Sequence, residues 1–197
     1  MEPVDREEEL IRRSRKGDLR AYASLVKIHE QRLFHTAYRI LHQREDAEDC
    51  VQETFVRAWD RFPELHSDHA FRTWIYRILS NQALDMLRMR ERRASGLHSL
   101  QEETMRLPFK SGPLTPREAL RQSRERDRIE SAIETLAPKQ KIVFVLRHFQ
   151  GLKMTEISEI LDCPVGTVKA TLHAALQKLR KALNRPGAVL VERKKNR

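Results

Sequence analysis

The stretch from Gly151 to Leu183 leaves the chain few ways to fold. Ile157, Ile160 and Leu161 fit one face of a short helix, and Thr155 stands where a residue could cap its start. Asp162-Cys163-Pro164 breaks that helix, because proline cannot continue the hydrogen-bond ladder and restricts the residue before it. Val168, Leu172, Leu176, Leu179 and Leu183 then follow at intervals of four, four, three and four, a second helical stripe. Two helices separated by so short a break read as a helix-turn-helix with a basic helical extension. The outer face of the second helix offers Thr167, Lys169, Thr171 and His173. Short side chains there let a helix approach base edges closely in a major groove. An ordinary helical hairpin with a solvated face has the same spacing.

Charge favours a polyanionic partner. The 197 residues carry 38 Lys and Arg against 28 Asp and Glu, a formal net charge of +10. Such an excess suits nucleic acid or an anionic membrane. The sign is uneven: Glu2 to Glu9 and Glu45 to Glu53 are acidic, whereas Arg88 to Arg93 and Lys178 to Arg197 are basic. One surface can therefore meet DNA while another meets a basic protein. No apolar run approaches the roughly 20 residues that span a bilayer, and the acidic start does not resemble a signal peptide. A cytoplasmic protein is expected. Cys50 and Cys163 lie in different predicted lobes without metal-ligand spacing, so both read as small packing residues, and neither metal nor cofactor is expected.

The rest of the chain is also helical in pattern. Leu25, Ile28, Leu33, Phe34, Ala37, Tyr38 and Leu41 form one apolar series, and Ala47, Val51 and Phe55 another. Pro63 and His66-Ser67-Asp68-His69 interrupt them, and a long helix is predicted from about Ala70. From Ala94 the periodicity fails among Ser, Gly and Pro, which reads as a tether. Pro138 suits the first turn of a helix whose core face holds Ile142, Val145 and Leu146. The predicted class is all-α, with two small helical domains joined by a flexible linker. The second is the helix-turn-helix, winged-helix-like in type. The boundaries drawn are 10–93 for the first domain, 94–126 for the linker, 127–184 for the second and 185–197 for a basic tail.

Two blocks carry a resemblance. The first includes Asp46-Ala47-Glu48-Asp49-Cys50-Val51-Gln52-Glu53-Thr54-Phe55 and Phe71-Arg72-Thr73-Trp74-Ile75-Tyr76-Arg77-Ile78, then Asn81, Asp85, Arg88, Arg92 and Arg93. The second includes Leu136-Ala137, Arg147, Glu156-Ile157 and Pro164-Val165-Gly166-Thr167-Val168-Lys169. In this order, the chain resembles a bacterial sigma factor of the extracytoplasmic-function group, and the match covers roughly two thirds of it. The resemblance implies a protein that binds core RNA polymerase and directs it to promoters, with the chemistry left to the polymerase. The first domain would recognise and melt the −10 element, and the second would read the −35 element. It also implies a cytoplasmic, nucleoid-associated protein that an anti-sigma factor, often membrane-anchored, can hold at the inner membrane. A helix-turn-helix regulator that binds duplex DNA as a dimer without polymerase is the competing reading.

The resemblance distributes roles over the residues. Asp46, Asp49, Glu53 and Asp60 share one helical face. With Phe55 they are assigned to core polymerase, whose largest-subunit coiled coil and flap region are the implied contacts. The loop residues His66, Ser67, Asp68 and His69, with Trp74 and Tyr76, are placed to hold an unstacked −10 base, since base–aromatic stacking contributes roughly 1–3 kcal/mol. Arg77, Asn81, Arg88 and Arg92 extend that surface, and Asp85 reads as a partner that orients Arg88 or Asn81. In the second domain Thr167, Lys169, Thr171, His173 and Gln177 are left to read the −35 element, with Lys178 and Arg180 on phosphates. Ala170, Thr171 and Ala174 stand where many members carry serine or arginine, so weak duplex affinity is expected from the isolated chain.

Overall fold

Asp18 shows how the first lobe is organised. Its carboxylate accepts the N–H groups of Arg20 and Ala21 at 2.9 and 3.1 Å, capping a helix, and is gripped from behind by Arg13 at 2.6 Å. These donors hold its pKa below the ordinary carboxylate value, the Ala21 N–H contributing most. The computed structural model describes residues 3–65, 67, 70–94, 125 and 127–184. The first lobe comprises α1 (Pro3–Arg15), α2 (Leu19–Leu41), α3 (Arg44–Asp60), a 3-10 turn at Phe62–Glu64 and α4 (Phe71–Ala94). The second comprises α5 (127–134), α6 (Pro138–His148), α7 (Met154–Leu161) and α8 (Val165–Leu183). Among the described residues there is no strand, so the all-α expectation holds and the helix-turn-helix is built of helices alone.

The first lobe closes around Leu25, Leu33, Ile40, Leu41, Phe62, Phe71, Ile75 and Leu79, all buried. Burying each such side chain contributes about 1.5–3 kcal/mol. Aromatic edges lock the 3-10 turn in place: Phe62 meets Tyr22 at 5.5 Å and Trp74 at 5.7 Å, both near perpendicular. Hydroxyls inside the helices fold back on their own turns. Ser14, Thr36 and Thr54 donate to the carbonyls of Leu10, Arg32 and Cys50 at 2.7, 2.8 and 2.6 Å. Cys50 is a buried packing residue whose thiol is pushed up to about 12 by burial.

Helix α1 departs from the sequence reading, in which the first apolar series begins at Leu25. Its Ile11 is buried against the first lobe, and Gly17, at φ +85°, turns the chain into α2. The second correction concerns Thr155, which lies inside α7 and does not cap it. The helix starts one residue earlier, where the Lys153 N–H donates to Glu156 Oε2 at 2.6 Å. The break after it is as expected: Asp162 ends α7 in the left-handed region at φ 49°, and Pro164 stands immediately before α8. Pro138 opens α6, also as expected.

The lobes touch. Helix α4 packs against α7, and both α2 and α4 pack against α6. The Arg39 guanidinium lies 4.4 Å over the Phe149 ring. His42, in the left-handed region at φ 58°, closes α2 beside this seam, its Nδ1 3.4 Å from Glu134 Oε1. A carboxylate so close favours a charged ring, yet burial outweighs it, with Lys141 and Arg90 adding to the effect. The His42 pKa falls to about 3 and the ring is neutral.

Candidate nucleic-acid interface

Helix α3 separates its acidic residues from its core face by spacing alone. Ala47, Cys50, Val51, Thr54 and Ala58 point inward, and Asp49 and Asp60 are exposed. Glu53 lies on the outer surface, paired with Arg57 at 2.6 Å one turn on. Two residues of the predicted set sit differently. Asp46 is half-buried and paired with Arg90 of α4, and Phe55 is in the core, where its carbonyl accepts the Tyr22 hydroxyl at 2.6 Å. Exposed Val56 and half-buried Trp59 supply apolar area on this helix that the charge pattern alone does not reveal.

Helix α4 carries the second surface. Trp74 is half-buried, its ring edge against Phe62 and its remainder lining an open cleft with Arg61, Ser67, Thr73 and Arg77. It is therefore part core and part surface. Tyr76 is 2% exposed, with its hydroxyl donating to Gln150 Oε1 at 2.8 Å, and burial raises its pKa. Farther along, Arg77, Asn81, Asp85, Arg88 and Arg92 are all exposed on the same helix. Asp85 stands 3.6 Å from Arg88, one of the two neighbours it is read as orienting. His66, Asp68 and His69 lie outside the described residues, and Ser67 is exposed.

Helix α8 presents the third. Val168, Leu172, Ala175 and Leu179 are buried, which turns Thr167, Lys169, His173, Gln177, Lys178 and Arg180 to solvent. Thr171 is half-buried, at the margin of this face. Gly166 and Ala170 are exposed among them, so the helix backbone lies close to the surface there. The scaffold behind is rigid: Arg147 donates to the Leu152 carbonyl at 2.9 Å, and Ser158 to that of Cys163 at 2.5 Å. Among the described residues no three His, Cys, Asp or Glu side chains gather as metal ligands. No helix among them is long and apolar enough to cross a membrane.

Arg72 and Arg90 are the residues that sequence reasoning passed over. Arg72 bonds the Gln150 carbonyl at 2.7 Å, and Arg90 joins α4 to the α2–α3 junction. Both act across long sequence separations, which periodicity does not report.

The arrangement agrees with what the chain is similar to. A family model described as Sigma-70 region 2 matches residues 25–93, and one described as Sigma-70, region 4 matches residues 126–179. The chain is 32% identical to the ECF RNA polymerase sigma factor SigW of Bacillus subtilis, over 88% of this chain and 94% of that protein. It is 33% identical to the ECF RNA polymerase sigma-E factor of Escherichia coli K12, over 84% and 88% of the two chains. Among solved structures it is similar to CnrH in complex with the cytosolic domain of CnrY, with a TM-score of 0.65, 26% identity and coverage of 90% and 97%. A second, the sigma factor RpoE of Bartonella quintana in complex with the anti-sigma factor NepR, has a TM-score of 0.66 at 20% identity and shows the shared fold. None of these supports the dimeric regulator that acts without polymerase. With both family regions matched in order along one chain, the protein belongs to the sigma-70 family and is an RNA polymerase sigma factor of the extracytoplasmic-function type.

Proposed function

We propose that this sigma factor uses three separate surfaces in transcription initiation. The exposed acids of α3, Asp49, Glu53 and Asp60, bind the largest-subunit coiled coil of core polymerase, with Asp46 and Phe55 holding the helix in place. The cleft around Trp74 and the stripe Arg77, Asn81, Arg88 and Arg92 receive the melted −10 strand, together with the loop of His66, Ser67, Asp68 and His69. The outer face of α8 reads the −35 duplex through Thr167, Lys169, Thr171, His173 and Gln177, with Lys178 and Arg180 on phosphates. The observation that carries this reading is the separation of an acidic face on α3 from basic stripes on α4 and α8. A domain that only bound duplex DNA would gain nothing from the acidic one.

The polymerase flap region, the other contact implied for core polymerase, is the one we propose for the second lobe. By analogy with CnrH, solved with the cytosolic domain of CnrY, and the Bartonella factor, solved with the anti-sigma factor NepR, a cytoplasmic anti-sigma segment holds this chain until it is needed. The polymerase does the chemistry. Core polymerase lacking any other specificity subunit, mixed with a promoter-fragment library, tests the reading. Initiation that requires this chain supports it, and tight sequence-specific duplex binding without polymerase overturns it.

A further inference from the structure

We infer that the chain holds a binding site for a small uncharged aromatic molecule, in a cavity beside the end of α2. The cavity has a volume of about 110 Å³ and is walled by Tyr38, Arg39 and His42 of the α2 end, Ile129 and Ile133 of α5, and Phe149 after α6. Tyr38 and Ile133 are buried and Phe149 is half-buried. Ile129 is 37% exposed, one of the few large apolar side chains left open to solvent, and it marks where the cavity meets the surface.

Size and wall chemistry select the guest. A water molecule takes about 30 Å³ of liquid, so the space has room for several, yet each needs about two to four polar partners. The lining is almost wholly apolar, so water gains little by entering. An engineered apolar cavity of about 150 Å³ holds benzene. The present one is smaller but open at Ile129, which suits a single ring and leaves no room for a fused system. Tyr38 and Phe149 offer ring edges and faces, contacts that favour an aromatic guest over an alkyl chain.

The guest is uncharged because the lining has no charge to give it. Burial lowers the Arg39 pKa, and Glu130, the remaining wall residue, raises it in return, so these two charges act on each other. The Arg39 guanidinium also rests 4.4 Å from the Phe149 ring centroid. Burial keeps the His42 ring neutral. A carboxylate or an ammonium would lose its hydration on entry and find no new partner to replace it. Because the walls come from α2 on one side and from α5 and the end of α6 on the other, a bound ring adds apolar burial to both and stabilises the folded chain.

The test is a fluorine NMR titration of fluorobenzene against the full-length chain, with thermal unfolding followed in parallel. The variants are Ile129→Trp, which fills the opening from an exposed position, and Phe149→Leu, which removes a ring from the wall. The unaltered chain is expected to bind saturably with a Kd on the order of 1 mM, as suits a ligand of about seven heavy atoms. Fluorobenzene should raise its Tm, and I129W, still folded by circular dichroism, should bind at least about tenfold more weakly. F149L should also bind more weakly, and keeps the test decisive if I129W does not fold. Fluorobenzoate, of similar shape but charged, should bind at least about tenfold more weakly than fluorobenzene. Absence of saturation at about ten times the expected Kd, equal affinity for the unaltered chain and the folded variants, or fluorobenzoate binding as tightly as fluorobenzene would each overturn the site.

Discussion

Arg90 of α4 reaches across to α3 and pairs with Asp46, while its second amino group donates to the Leu41 carbonyl at 3.0 Å. One guanidinium thus ties the end of α2, the start of α3 and the C-terminal part of α4. Asp46 and Asp49 lie one turn apart, yet one is a strut of the fold and the other is open to a partner.

Replacing Arg90 by methionine should lower stability by about 1 kcal/mol, a modest figure because the pair is about a third exposed. Thermal unfolding reads this as a fall of about 2–4 °C in Tm. A Tm unchanged by R90M would remove the strut.

Reversing Asp49 and Glu53 to lysine should leave Tm nearly unchanged, since surface substitutions usually stay within about 0.5 kcal/mol. The same double variant should bind core polymerase about tenfold or more weakly, because it brings like charges together across the contact. A titration of labelled core enzyme checks this, and full affinity would take α3 out of the interface.

Alanine at Arg88 and Arg92 should flatten the salt dependence of promoter-strand binding. Each lost phosphate contact removes roughly 0.7–0.9 from the slope of log K against log salt. The measurement is affinity at four or five salt concentrations, with polymerase present; parallel lines would place these side chains in water.

Ile11→Ala tests whether α1 belongs to the folded lobe. Ile11 is 2% exposed, and truncation of a buried isoleucine costs about 2–5 kcal/mol. Urea denaturation should show that loss, and a change below about 0.5 kcal/mol would mean that α1 does not dock.

His42 makes stability pH-dependent. Unfolding frees its ring to take a proton near pH 6.5, whereas in the folded chain it resists protonation down to about pH 3. Its contribution is complete above about pH 6.5 and is lost as pH falls, by up to about 1.4 kcal/mol per unit. His42→Asn, tolerated at φ 58°, should flatten the stability profile between pH 6.5 and 4, as followed by urea midpoints. Superimposable profiles would show that His42 is not the titrating group.

Much of this was legible because prolines and apolar spacing act locally. Pro138 and Pro164 lie at the starts of α6 and α8, and the leucines of α8 mark its buried face. Helix α1 was hidden because its apolar residues are few and Ile11 gains its burial only from packing against the first lobe. Thr155 misled because a side-chain cap is the commoner start, whereas here Glu156 reaches back to the Lys153 N–H. The Arg90–Asp46 and Tyr76–Gln150 contacts span 44 and 74 residues. No local pattern encodes such partners, so the acids of α3 looked equivalent and Tyr76 looked free.

The hydroxyls of Ser14, Thr36 and Thr54, each spent on a carbonyl of its own helix, leave the seams of the first lobe greasy. The directional ties between its helices are concentrated at Tyr22 with Phe55 and at Arg90 with Leu41 and Asp46. Between those points the helices meet through apolar side chains, so the interior of the lobe and the charges on its outside rest on different residues, and the two can diverge independently.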